Sequence, residues 1–181
     1  MSFTYPTSRA TGYTVLYTVW NSDVVDNGKW LGKDKPAVLA VETTNQSIPN
    51  NTLTAITFND ADLYDTQSQH DITTNTSRIT CGATANIGLY HFSASGLWEG
   101  PAVPAGYRYI ALRLNGSTIL YRTHQTSGTA SVPVGWEISG YYRLDAITDY
   151  VEVMAFHLQG AALNIASATV STKFAATWIA A

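Results

Sequence analysis

Apolar and polar positions alternate over much of this chain. The run Gly88-Leu89-Tyr90-His91-Phe92-Ser93-Ala94 is the central example. A period of two puts Tyr90 and Phe92 on one face of a strand and Leu89 and His91 on the other. Residues 106–114 alternate more clearly still: Tyr107, Tyr109, Ala111 and Arg113 share one face, and Arg108, Ile110, Leu112 and Leu114 share the other. Asn115-Gly116 then supplies the positive backbone angles of a tight hairpin, and residues 117–123 return from it. Further strands are predicted over residues 36–41, 52–58, 78–81, 141–144, 150–158 and 170–179. Leu163-Asn164-Ile165 reads as a short edge strand, and a strand turn is placed near Leu63-Tyr64. The stretches 46–51, 126–135 and most of 59–75 read as turns or loops. Eight to ten short strands with turns between them predict an all-β sandwich or barrel.

Residues 1–36 have a different texture. Pro6, Gly12, Gly28 and Gly32 punctuate them, and three of the lysines lie here (Lys29, Lys33, Lys35). Residues 13–20 alternate loosely, as a strand would. Residues 20–27 could start a short helix, with Asn21 or Ser22 as its cap. Trp20, Val24, Val25, Trp30 and Leu31 are apolar groups that so short a segment cannot bury by itself. They must fold back on the main domain or dock on a partner, and the expectation is docking. The division is therefore an attachment arm, 1–36, and a β domain, 37–181.

Composition sharpens this picture in two ways. Charged residues are 13% of the 181, about half the usual share of roughly 25%, and 24 Thr and 14 Ser take their place. Thr favours strands, and interface cores are depleted of charge. Eleven Tyr and five Trp point the same way, since both are enriched where subunits meet. The net charge of -3, with no basic run, argues against nucleic acid as a partner. The chain has a single cysteine, Cys81, so neither an intramolecular disulfide nor a cysteine zinc site is expected. Neither a signal peptide nor a membrane-spanning run is read from the sequence. The expectation is a protein made in a cytoplasm and not inserted in a membrane.

Catalytic chemistry finds little support. His70, His91, His124 and His157 lack the spacing of a metal-binding pair, and His91 and His157 fall inside strands. No nucleophile elbow or phosphate-binding glycine loop is present. Glu99 and Glu137 sit beside Trp98 and Trp136, which makes those two tryptophans candidate sugar-stacking residues on ligand loops. Asp60, Asp62 and Asp65 are candidate calcium ligands through oxygen atoms, although the glycine and distal glutamate of an EF-hand are missing. No cofactor is expected.

Ile79-Thr80-Cys81, the bridge after it, Gly88-Leu89-Tyr90-His91-Phe92, Leu114-Asn115-Gly116 and the final strand around Phe174 and Trp178 together resemble the C1q-like domains. Phe58 and Leu63-Tyr64-Asp65 extend the match upstream. The family's Gly-Asp before its penultimate long strand is absent, and Ile147-Thr148-Asp149-Tyr150 stands there instead. The resemblance implies a C1q/TNF-like jelly roll and a homotrimer. Tyr90, Phe92, Tyr107, Tyr109, Phe156, Phe174 and Trp178 are then the candidate trimer or core strand residues. The segment from Trp20-Asn21 to Asp26-Asn27, ahead of such a domain, resembles small virion proteins of tailed bacteriophages. That implies a non-enzymatic capsid decoration or head-fibre protein, with the major capsid or tail protein as its partner. The alternative is a tail-fibre tip that binds a receptor or a host surface glycan.

Overall fold

The computed structural model describes residues 11–29, 35–101, 106–126, 130–167 and 170–181. Twelve strands are seen among them: β1 (Ala37–Glu42), β2 (Gln46–Ile48), β3 (Thr54–Ala55), β4 (Tyr64–Asp65), β5 (Arg78–Thr80), β6 (Gly88–Trp98), β7 (Tyr107–Leu114), β8 (Thr118–Thr126), β9 (Val134–Leu144), β10 (Tyr150–His157), β11 (Leu163–Ile165) and β12 (Thr172–Ala180). They form two sheets. In the larger, β6 lies between β9 and β12, β1 follows β12, β4 follows β1, and β11 and β2 continue from the Trp98 end of β6. In the smaller, β10 pairs with β7 on one side and with β3 and β5 on the other, and β8 is the outer strand beyond β7. All these pairings are antiparallel. The architecture is a jelly-roll β-sandwich.

The alternation of the sequence sets which side chains enter the space between the sheets. Tyr90, Phe92 and Ala94 of β6, Phe174 and Ala176 of β12, Ile110 and Leu112 of β7, and Val151 and Val153 of β10 are all buried there. Phe174 touches Phe58 at 5.7 Å and Phe92 at 6.3 Å between ring centroids. The Tyr90 hydroxyl donates to the Asn86 carbonyl at 2.6 Å and accepts from Gln69 Nε2 at 3.0 Å. Burial pushes its pKa far up, so it remains a neutral donor. Gly106 is required where β7 begins: its φ is +64°, and a Cβ there would lie 1.9 Å from the Leu158 carbonyl oxygen. The Asn115-Gly116 turn has φ values of 47° and 70°, the positive pair expected of its sequence.

Four local expectations need correction. Residues 13–20 are not a strand: the chain is α-helical at Tyr17–Trp20, π-wound at Asn21–Asp26 and α-helical at Asn27–Lys29. Its start is capped by neither Asn21 nor Ser22, and both lie within the helix. With no described strand paired to it, the β-branched content of Tyr17-Thr18-Val19 does not decide its form. Residues 46–48 are strand rather than turn, because β2 pairs with β11 through Ile48 and Leu163. The strand predicted over 52–58 pairs only at Thr54–Ala55, although Ile56 and Phe58 are buried as their phase predicts. The loop predicted over 126–135 ends at Val134. There β9 begins, alternating Trp136, Ile138 and Gly140 inward with Glu137, Ser139 and Tyr141 outward.

Candidate interaction surfaces

The outward face of the larger sheet is built from small side chains. Strand register places Ser139, Ser93, Ala175 and Leu39 side by side across β9, β6, β12 and β1. The next row is Tyr141, His91, Thr177 and Ala37, with the His91 and Tyr141 rings 4.8 Å apart. On the other side, Glu137, Ser95 and Lys173 form a third row. A shallow groove of about 160 Å³ runs over Leu39, Ser93, Ser95 and Ala175 between Glu137 and Lys173. Such a face lets another backbone approach closely, with one charge of each sign at its margin.

The outward face of the smaller sheet has long side chains. Tyr109 and Phe156 stack at 4.9 Å and 17°, and Tyr107 lies 6.4 Å from Tyr109 at 16°. The His124 ring closes the cluster, 5.3 Å from Tyr109, and Arg122 stands 5.1 Å over the Tyr109 ring. Further along, Glu152 is buried and accepts from Arg113 Nη2 at 2.8 Å and from Ser77 Oγ at 2.9 Å, with Arg78 Nε 3.5 Å away. Arg78 stacks on Tyr150 at 4.0 Å. The seven expected trimer or core residues therefore divide. Tyr90, Phe92, Phe174 and Trp178 belong to the core, whereas Tyr107, Tyr109 and Phe156 form this outer platform.

In the arm, Trp20 and Val24 are about half exposed and Val25 is half-buried. Tyr13, Val15, Leu16 and Tyr17 are exposed beside them. Trp30 and Leu31 lie outside the described residues.

Two expected sites are not formed. Trp98 and Trp136 are strand residues rather than ligand-loop residues, and both are buried between the sheets. Their phase in β6 and β9 turns the indoles inward, while Glu99 and Glu137 point to solvent. The calcium candidates do not converge either. Asp60 accepts from the Thr43 backbone N–H and hydroxyl, both at 2.6 Å. Asp62 pairs with His70 Nδ1 at 2.9 Å, and burial pushes its pKa up against the pull of that histidine. Asp65 accepts from the Gln67 and His70 amides. Each carboxylate holds a different part of the loop, and no group of three His, Cys, Asp or Glu suited to a metal is found among the described residues. No described helix is long and apolar enough to cross a membrane.

Sequence reasoning did not single out the buried charged groups, Glu152 and Arg108 among them. Arg108 is completely buried, although its phase with Ile110 and Leu112 was legible as an inward arginine.

No protein-family model matches the chain, and no curated protein sequence does. Solved structures do. The globular domain of zebrafish complement 1qA protein superposes with a TM-score of 0.58 at 20% identity, covering 80% of this chain and 98% of that one. Murine APRIL gives 0.55 at 12% identity, with 80% and 99% covered. PRD1 vertex protein P5 gives 0.55 at 17% identity, with 80% and 73% covered. At these identities the likeness establishes the C1q/TNF-like jelly-roll fold.

Proposed function

We propose that this chain is a non-enzymatic structural protein of a virus particle, a homotrimeric capsid decoration or head-fibre protein held to the particle through its N-terminal arm. The observation that carries the reading is the pairing of two unlike surfaces on one small chain. One is the flat, small-residue face around Ser93, Ser139 and Ala175. The other is the helical arm with Tyr17, Trp20 and Val24 exposed. The first suits two further copies of the same chain, as the jelly-roll resemblance implies. The second suits an apolar groove on a major capsid or tail protein, where aromatic anchors carry most of the binding energy. The shared fold of a phage vertex protein supports the setting.

The test is a double substitution in the arm, Trp20→Asp with Val24→Asp, followed by co-sedimentation with purified particles. The account expects an unchanged oligomer that no longer sediments with the particle. Retained binding by this variant would remove the arm from the attachment mechanism.

A second reading, a receptor- or carbohydrate-binding tip, is favoured by the platform of Tyr107, Tyr109 and Phe156. Its near-parallel rings and flanking Arg122 and His124 suit the apolar face and hydroxyl edge of a sugar. Glycan-array binding that is lost in Tyr109→Ala would establish it.

A further inference from the structure

Among the described residues, one cation of the interior has no counter-charge beside it. Arg108 is the second residue of β7 and points between the sheets, with no exposed surface. Among the described residues, no group accepts a hydrogen bond from its Nε, Nη1 or Nη2. An arginine stays protonated throughout the ordinary pH range, even though burial pulls its pKa down. An uncompensated buried charge is among the most costly arrangements a fold can contain.

Some of the groups around it also lack partners. Strand register sets Arg108 opposite Gln125 of β8 and His157 of β10. The Trp98 ring lies 5.9 Å from the guanidinium carbon and 5.8 Å, edge-on, from the His157 ring. Gln125 Nε2 donates to the Gly135 carbonyl at 2.7 Å, next to Trp136. The indole nitrogens of Trp98 and Trp136 are buried and unpartnered, as is Gln125 Oε1. The His157 ring is already used: Nε2 donates to the Ile48 carbonyl at 2.8 Å, and Nδ1 accepts from the Gln159 amide at 3.3 Å. Among the described residues, the atoms left without a partner here include three guanidinium nitrogens, two indole nitrogens and one amide oxygen. All but one are donors, and neither neighbouring glutamate faces inward.

We propose that this end of the sandwich binds one small monovalent anion, chloride in the cell, held by the Arg108 guanidinium with the Trp98 and Trp136 indoles as neighbouring donors. A water molecule would accept some of these N–H groups but would leave the charge uncompensated. A carboxylate from another protein cannot reach a side chain with no exposed surface. Chloride is compact, accepts several N–H donors at once and cancels the charge. The bound ion would tie β6, β7 and β9 together across the sandwich.

The test uses the full chain at constant ionic strength, with gluconate progressively replaced by chloride, and reads the thermal unfolding midpoint. A ligand that binds only the folded state raises it with the logarithm of its concentration once that exceeds the dissociation constant, and a rise of roughly 5 °C is expected at about ten times that constant. The midpoint of Arg108→Met, which keeps length without charge, is expected to be the same in both salts. A wild-type midpoint indifferent to the anion overturns the proposal. Crystals grown in bromide decide independently of whether the variant folds. An anomalous peak within hydrogen-bonding reach of the Arg108 guanidinium supports the site, and a light atom there, water only, contradicts it.

Discussion

Across the larger sheet, the outward row Ser139, Ser93, Ala175 and Leu39 has little side-chain reach. Across the smaller sheet, the outward positions carry Tyr107, Tyr109, Phe156 and His124, and then the Arg78, Glu152 and Arg113 cluster. The two faces use one strand grammar for different ends. The smaller sheet satisfies its outward side chains with one another, ring on ring and carboxylate between arginines. The larger sheet has few such partnerships beyond the His91–Tyr141 contact, and its flatness invites the surface of another molecule. The proposed self-association would accordingly use the larger sheet, and the proposed side-chain recognition the smaller.

The substitution that tests this contrast most severely is Ser93→Arg. It places a long cation at the centre of the flat row, and the expected outcome is loss of assembly to the 19.6 kDa chain. The counterpart on the other face, Tyr109→Arg, is expected to leave the mass unchanged. Light scattering reads both, and equal effects would erase the distinction between the faces.

A smaller effect is expected from Glu152→Ala. It removes the acceptor shared by Arg113, Arg78 and Ser77 at a buried position. Because the arginines are themselves partly exposed, the loss is set at about 2–3 kcal/mol in denaturant unfolding. Glu137→Ala on the larger sheet, at an exposed position, is expected to change monomer stability by less than about 0.5 kcal/mol. Similar losses would mean that the smaller sheet is not the self-satisfied one.

The smallest effect concerns acid. Burial acts to raise the pKa of Asp149, but bonds from the Asn115 amide and the Ala146 and Asp145 backbone N–H groups outweigh it and hold the carboxylate low. A folded pKa below the unfolded value of about 3.9 contributes stability above that value, and this is lost as pH falls through the folded pKa. Asp149→Asn is expected to flatten stability below about pH 4 and to cost about 1 kcal/mol at neutral pH, since solvent still screens a group that is only half-buried. An unchanged acid slope would remove Asp149 from the tie between the β7–β8 and β9–β10 turns.

Much of this contrast was legible in the sequence wherever large apolar residues kept strict phase. In β6 and β7 the alternation of Tyr90 with His91 and of Ile110 with Tyr109 placed each side chain on its observed face. The first half of β9 was hidden because Gly135, Ser139 and Gly140 weaken its alternation, and only strand pairing with β6 reveals it. Trp98 and Trp136 read as ligand-loop residues because an acid beside a tryptophan can mark sugar stacking, although an acid beside an aromatic is also what a half-buried strand produces. The arm carried mixed signals, since β-branched residues at its start concealed a helix. Arg108 was placed on the correct face, but nothing in the sequence tells that its guanidinium has no partner, because that depends on what β6, β8 and β9 bring against it.

The most direct measurement is the solution mass of the purified chain by light scattering. The account predicts a value near three times 19.6 kDa that holds on dilution. A mass of 19.6 kDa at every concentration would contradict it, because the flat face of the larger sheet would then have no copy of itself to meet.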